Sequence, residues 1–357
     1  MPLAPPANPQ KERTTPLEVL RPPVADAGPG LRDGSGRGVH YLRLSVTGNC
    51  SMRCGYCRPG VDANRPEPHR LDAGGVRFLV GHLHRRSGLR KVRLTGGEPT
   101  TRRDLPGLVR AAREAGVEEV AVTTNGLTLE RDAPRLADAG LSRANVSLDT
   151  LDAGRFEALT GVDGLRRVLR GIEAARGVLP GGVKLNAVVI AGHNDGGDLL
   201  ALAKWAAERS LPLRFIELMP MGPLAGAWAG RYVPAAAMKA TLRAAGVTLE
   251  ALPETADAAR RFRATLPGPP GGAAGAVAEL GFITPMSCNF CGSCDRLRVS
   301  ADGDLHPCLM DEPRGNVADA VRRRDPEALD RLLAAAFERK AAEHPPAGPA
   351  VMTRMGG

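Results

Sequence analysis

Short apolar runs with strand-like alternation recur between residues 41 and 250, each followed by an Ala/Leu/Arg-rich stretch with helical spacing. That double rhythm predicts repeated βα units around a parallel sheet. The expected strands cover 41–46, 91–95, 119–123, 143–147, 183–189 and 213–218, and helical patterns fill the gaps, among them 106–115, 165–178, 198–208 and 234–245. Six units fall short of the eight that close a barrel, so the predicted fold is α/β, an incomplete (β/α)6 TIM-type barrel with an open side. Residues 39–251 would form that barrel. Residues 252–357, interrupted by a Gly/Pro-rich stretch at 267–275, are expected to form a small C-terminal domain packed over the gap. Residues 1–38 are rich in Pro and Gly, lack any apolar period, and read as a disordered extension.

Polar signals stand at the C-terminal ends of the expected strands, where a parallel barrel collects its ligands. After the first strand come Cys50, Cys54 and Cys57; after the second, Gly96-Gly97-Glu98-Pro99; after the third, Thr124-Asn125-Gly126; after the fourth, Ser147-Leu148-Asp149; after the sixth, Met219-Pro220. The C-x3-C-x2-C spacing supplies three thiolates to a cubic [4Fe-4S] cluster and leaves one iron for a small chelating molecule, such as the amino and carboxylate groups of S-adenosylmethionine. A zinc site is the competing reading, but it wants four closed ligands, and no histidine lies in this loop.

The remaining motifs each have a bland alternative. Gly96-Gly97 lets backbone approach a ligand closely, or marks an ordinary turn. Asn125-Gly126 reads as a turn, with Thr123 able to point a hydroxyl into the site. Ser147 and Asp149 could cap the following helix. Arg43, Arg93 and Lys184 alternate with apolar neighbours; facing inward they need an anion, either phosphate or an internal carboxylate such as Glu217. Cys288-x2-Cys291-x2-Cys294, followed by Cys308, makes a second metal site, closed zinc or an iron–sulfur cluster, flanked by Arg296 and Arg298.

Composition narrows the classes. The chain has 357 residues, 43% of them hydrophobic, enough for a sizeable core. Its net charge of +9 suits an anionic partner, yet nearly all its basic residues are arginine amid Ala, Gly and Pro, a compositional bias in itself. Aromatics at 3% are too few for base-stacking platforms, so no nucleic-acid partner is expected. Seven cysteines in two tight groups favour metal ligation in a reducing compartment, which points to the cytoplasm. No membrane partner is expected, and Glu12, Glu18, Asp26 and Asp33 count against a transit peptide.

In order, L-R-L-S-V-T, the cysteine loop, K-V-R-L-T-G-G-E-P, T-T-N-G, N-V-S-L-D, R-F-I-E-L-M-P, C-x2-C-D-R-L-R-V and a terminal Gly-Gly resemble the radical SAM superfamily, and more closely its GTP 3′,8-cyclase family, which opens molybdenum cofactor biosynthesis. The resemblance implies two [4Fe-4S] clusters, held by Cys50, Cys54 and Cys57 and by Cys291, Cys294 and Cys308. It implies that Tyr56, Gly97, Ser147 and Met219 hold S-adenosylmethionine. Arg43, Arg93, Thr123, Lys184, Arg296, Leu297 and Arg298 match the positions that contact GTP, with Arg296, Arg298, Gly356 and Gly357 in the catalytic set. The implied reaction is reductive cleavage of S-adenosylmethionine, abstraction of the ribose 3′ hydrogen of GTP and attack of the carbon radical on C8, giving (8S)-3′,8-cyclo-7,8-dihydroguanosine 5′-triphosphate. Implied partners are an electron donor such as flavodoxin or ferredoxin and the downstream cyclic pyranopterin monophosphate synthase, with a homodimer left open. Cys288 has no counterpart in the family and is expected to be an idle buried thiol. The rival readings are another two-cluster radical SAM enzyme, such as a peptide maturase, and a zinc-stabilised nucleic-acid binder.

Overall fold

The computed structural model describes residues 31–57, 67, 70–255, 257–268, 275–338, 340–346 and 348. Gly356, Gly357, residues 1–30 of the expected extension and most of the Gly/Pro-rich stretch lie outside the described residues.

Eleven strands form one sheet: β1 Tyr41–Ser45, β2 Lys91–Thr95, β3 Glu119–Thr124, β4 Arg143–Ser147, β5 Val183–Val189, β6 Leu213–Glu217, β7 Thr248–Ala251, β8 Ala259–Thr265, β9 Val277–Ile283, β10 Arg296–Val299 and β11 Leu305–His306. The helices are α1 Ala73–Ser87, α2 Leu105–Glu114, α3 Leu129–Asp138, α4 Ala153–Thr160, α5 Leu165–Val178, α6 Gly197–Ala207, α7 Ala235–Ala244, α8 Ala318–Arg323 and α9 Pro326–Glu338. The six expected strands and the four expected helices form to within one residue of their predicted ends.

The C-terminal segment differs from a cap laid over the gap. The sheet runs β11-β10-β1-β2-β3-β4-β5-β6-β9-β8-β7, so this segment adds strands to both edges of the barrel sheet. β9 pairs parallel with β6 (Leu213 opposite Leu280), and β10 pairs parallel with β1 (Tyr41 opposite Arg296). Eight neighbouring strands are therefore parallel. β9 and β10 do not pair with each other, and residues 284–295 run through the opening between them.

One face of the barrel strands packs against helices. Leu42 and Leu44, Val92 and Leu94, Val120 and Val122, Leu213 and Phe215 are all buried in a single apolar core with Val76, Leu79 and Leu83 of α1 and Val168 and Ile172 of α5. Burying each large side chain of this kind stabilises the fold by roughly 1.5–3 kcal/mol. The opposite face is polar. Register places Tyr41, Lys91 and Arg296 at one level and Arg43, Arg93 and Arg298 at the next. A closed barrel fills its interior with Val, Ile and Leu; this one keeps a cavity.

Residues 31–38, expected within the disordered extension, are folded. Arg32 bridges Gly38, and Asp33 pairs with Arg37 at 2.6 Å, both side chains buried. No helix among the described residues is long and apolar enough to cross a membrane.

Candidate active site

Cys50, Cys54 and Cys57 sit on the loop that follows β1, at the mouth of the barrel. The loop is sewn to the end of α4, with Arg53 N donating to Thr160 O at 2.8 Å and Gly55 N to Leu159 O at 3.1 Å. Its other support is the Gly96-Gly97 pair. Gly97 N donates to Thr47 O and Glu98 N to Asn49 O, each at 2.7 Å. A Cβ on Gly96, whose φ is +147°, would lie 2.2 Å from Thr47 O, and one on Gly97 would lie 2.3 Å from Asn49 O. These glycines therefore admit the backbone of the cysteine loop itself, besides lining the cavity. Glu98 is buried and accepts from Thr100 N, Thr100 Oγ1, Thr124 Oγ1 and Asn125 N at 2.6–3.0 Å, which locks the second and third strand ends together. Asn125 Nδ2 donates to Ser51 Oγ at 3.0 Å, so the Asn-Gly turn also braces the loop.

Burial first, then the charges of Asp149, Cys57 and Cys50, push the Cys54 thiol well above its ordinary value. Deprotonating all three thiols would require a compensating cation among them, which suits an iron–sulfur cluster. Asp149 accepts from Tyr56 Oη at 2.8 Å and from Val188 N at 2.9 Å, and burial raises its carboxyl to about 6. The capping role considered for Ser147 and Asp149 falls instead to Asp152, which accepts from Arg155 N.

Cys291, Cys294 and Cys308 gather at the other end of the barrel. Asp295 O receives His40 N and Tyr41 N, so Cys294 lies beside the start of β1, whereas Cys50 lies beyond its end. Five residues of strand separate the two groups, roughly 16 Å at ~3.3 Å per residue. Burial, then the neighbouring Cys308 and Cys294, push the Cys291 thiol up. Cys288 stands apart and is exposed rather than buried, its Sγ receiving Arg260 Nη2 at 2.8 Å.

Between the two groups lies a cavity of about 680 Å³, reached by both sets of cysteines, a volume within the range of small-molecule sites. Arg43, Lys91, Arg93, Arg143, Lys184, Arg214, Arg296 and Arg298 line it. Glu119 pairs with Lys91 at 3.0 Å and lies 3.6 Å from Arg143, and Asp257 pairs with Arg214. Arg93 Nε, Arg296 Nε and Thr123 Oγ1 are buried and meet no hydrogen-bond partner among the described residues, although both guanidinium groups lie over the Tyr41 ring. The crowding disfavours the charged forms of the cations. Burial, then Arg298, lowers Arg43 well below its ordinary value; burial, then Arg296, brings Arg298 to about 10; burial, then Arg214 and Arg143, brings Lys184 to about 8. Burial alone would raise Asp257, yet Arg214 and Lys184 outweigh it and hold the carboxyl at about 2.

Tyr56, Gly97, Ser147 and Met219 all line the cavity, and Met219 packs against Met221 and Met310. Leu297 does not. It alternates to the face opposite Arg296 and Arg298 and is fully buried in the apolar core. Glu217 is not the partner of the inward cations either: it accepts from Ala235 N, Met286 N, Ser287 N and Ser287 Oγ, anchoring the chain that leads to Cys291. Lys91, Arg143 and Arg214 were missed in the sequence, although strict alternation from Arg93 and from Ser147 would have placed the first two inward. Asp257 carried no signal, because it reaches the cavity from the turn before β8.

A parallel half-barrel with three thiolates at its mouth defines a radical SAM protein. Residues 44–206 match the radical SAM superfamily, and residues 211–346 match Molybdenum Cofactor Synthesis C. Among solved structures, SuiB of Streptococcus suis bound to precursor peptide SuiA has a TM-score of 0.58 at 15% identity, covering 85% of this chain and 65% of that one. The chain thus spans just under two thirds of SuiB. Native anSMEcpe with bound AdoMet has a TM-score of 0.53 at 14% identity, covering 85% and 92%. Both likenesses concern the fold alone. Proteins called GTP 3′,8-cyclase from Edwardsiella ictaluri and Heliobacterium modesticaldum are each 40% identical, over 88% of this chain and 93% of theirs. One from Moorella thermoacetica is 39% identical over 88% and 95%. The chain belongs to the GTP 3′,8-cyclase family, and S-adenosylmethionine and iron–sulfur chemistry come with that membership.

Proposed function

We propose that the chain converts GTP to (8S)-3′,8-cyclo-7,8-dihydroguanosine 5′-triphosphate, the first step of molybdenum cofactor biosynthesis. The observation that carries this reading is a cavity between two groups of cysteines in which buried Arg93 Nε, Arg296 Nε and Thr123 Oγ1 have no hydrogen-bond partner among the described residues. Cations crowded in this way are costly until an anion joins them, and guanidinium forks suit phosphate oxygens. Arg43, Arg93, Thr123, Lys184, Arg296 and Arg298 would hold the triphosphate and ribose.

Cys50, Cys54 and Cys57 would ligate a first [4Fe-4S] cluster, and Cys291, Cys294 and Cys308 a second, with an iron of each left open, one for S-adenosylmethionine and one for the guanine. Held by Cys50, Cys54 and Cys57, such a cluster would supply the one electron that cleavage of a bound sulfonium requires. The chain's own part is alignment and exclusion of water: Tyr56, Gly97, Ser147 and Met219 border the cosubstrate's place, and the arginines fix the ribose toward it. Gly356 and Gly357 would reach the same cavity, since only backbone needs to enter. A flavodoxin or ferredoxin would deliver the electron in the cytoplasm, and a cyclic pyranopterin monophosphate synthase would take up the product. The peptide-maturase alternative rests on fold likeness only.

Equilibrium binding tests the reading. GTP should bind far more tightly than guanosine, inorganic tripolyphosphate should compete, and affinity should fall with salt. Equal affinity for GTP and guanosine would contradict a cation-lined triphosphate site.

A further inference from the structure

Two buried cations reach the second cysteine group from outside the cavity. Arg37, 6% exposed, binds Asp33 Oδ2 through Nε at 2.6 Å. Its Nη1 donates to the carbonyl of Cys291 at 2.5 Å, and its Nη2 to the carbonyls of Lys340 at 3.4 Å and Ala341 at 2.8 Å. Lys340, also 6% exposed, donates from Nζ to the carbonyl of Cys294 at 2.8 Å and to that of Arg296 at 2.9 Å. Arg37 thus grips the backbone of Lys340 as well as that of Cys291, and the two act as one clamp.

The clamped stretch has little structure of its own. Between β9 and β10 the regular structure is a single turn at Cys291–Ser293, and this stretch crosses the one place where neighbouring parallel strands fail to pair. Cys291 O also receives Cys294 N at 3.1 Å and Arg296 is the first residue of β10, so the clamp adds charged donors to a stretch otherwise held by few backbone bonds and steadies the thiols and guanidinium on the same residues. A buried lysine held by neutral carbonyls is also unfavourable unless negative charge lies nearby. Asp33 and Asp295 supply part of it, and a thiolate-ligated cluster would supply more.

We propose that Arg37 and Lys340 are positioning residues for the second cysteine group, fixing the backbone of Cys291, Cys294 and Arg296 and easing reduction of the iron–sulfur group held there. This rests on reading that group as the second cluster site. Asp33 offsets much of Arg37's charge, so Lys340 carries most of the positive charge that favours the reduced, more negative state of such a cluster and raises its potential, while Arg37 acts mainly by holding the backbone.

The test uses the full chain with Cys50, Cys54 and Cys57 replaced by Ala, reconstituted anaerobically with iron and sulfide, so that bound iron reports the second group alone. In that background Arg37→Gln and Lys340→Met should lower iron retention against a chelator about 10-fold. They should also move the midpoint potential to more negative values and alter the EPR signal of the reduced cluster, while Arg37→Lys recovers part of both. Unchanged retention and potential in both variants would overturn the proposal. Should Arg37→Gln not fold, as judged by the melting of the metal-free chain, Lys340→Met alone decides. A background chain that holds no iron–sulfide centre would instead sink the second-cluster reading, and this proposal with it.

Discussion

The two cysteine groups are held by different means. The first is built from consecutive strand ends of the barrel: its loop rests on the Gly96-Gly97 backbone, on Asn125 and on the end of α4. The second is assembled from Cys291, Cys294 and Cys308, brought to the far end of β1 by strands that join the sheet's edge, and clamped by Arg37 and Lys340. Backbone packing at the mouth leaves little freedom and needs glycine; charged clamps at the opposite end leave the potential open to tuning. One architecture fixes a ligand geometry, the other couples geometry to charge.

The largest expected effect breaks the mouth and spares the far end. Cys54→Ala should abolish formation of 5′-deoxyadenosine. Gly97→Ala, which drives a methyl into the Asn49 carbonyl, should lower it about 100-fold, as a displacement near 1 Å does, with second-site iron retained. Loss of iron from both sites on Gly97→Ala would show that the two are not built independently.

A change on the far side sharpens the contrast. Arg296→Ala should weaken GTP binding about 100-fold, the scale for removing one member of a buried charge pair, while uncoupled cleavage of S-adenosylmethionine continues. Unchanged GTP affinity by equilibrium dialysis would take Arg296 out of the site.

The smallest effect lies between the groups. Lys184 has a folded-state value of about 8, lowered from 10.5 by burial and then by Arg214 and Arg143. Because the depressed value means the cation is disfavoured in the empty cavity, a bound triphosphate should restore it. GTP binding is therefore full below about 8 and weakens above it, by at most about tenfold per pH unit. Lys184→Arg should flatten that slope, and a profile identical in both proteins would exclude Lys184 as its source.

The barrel half was legible in the sequence because its information is local. Strand alternation, the cysteine spacing and the glycine pair each lie within a dozen residues, and Arg43, Arg93 and Lys184 follow from alternation alone. The far half was not. β9 and β10 pair with β6 and β1, strands more than 60 and more than 250 residues away in the chain, and no short pattern encodes such pairing. Arg37 lies in a Pro/Gly-rich stretch that reads as disordered, and its partners are backbone carbonyls 254 and 304 residues on. Leu297, expected with Arg296 and Arg298 as one R-L-R unit, turns its side chain to the core by alternation, so only its backbone could face the substrate.

The most direct measurement follows the ribose hydrogen. The reconstituted, reduced chain is incubated anaerobically with S-adenosylmethionine and GTP deuterated at C3′. Deuterium should appear in 5′-deoxyadenosine, formed together with the cyclised triphosphate. Unlabelled 5′-deoxyadenosine with no cyclised product would contradict the account.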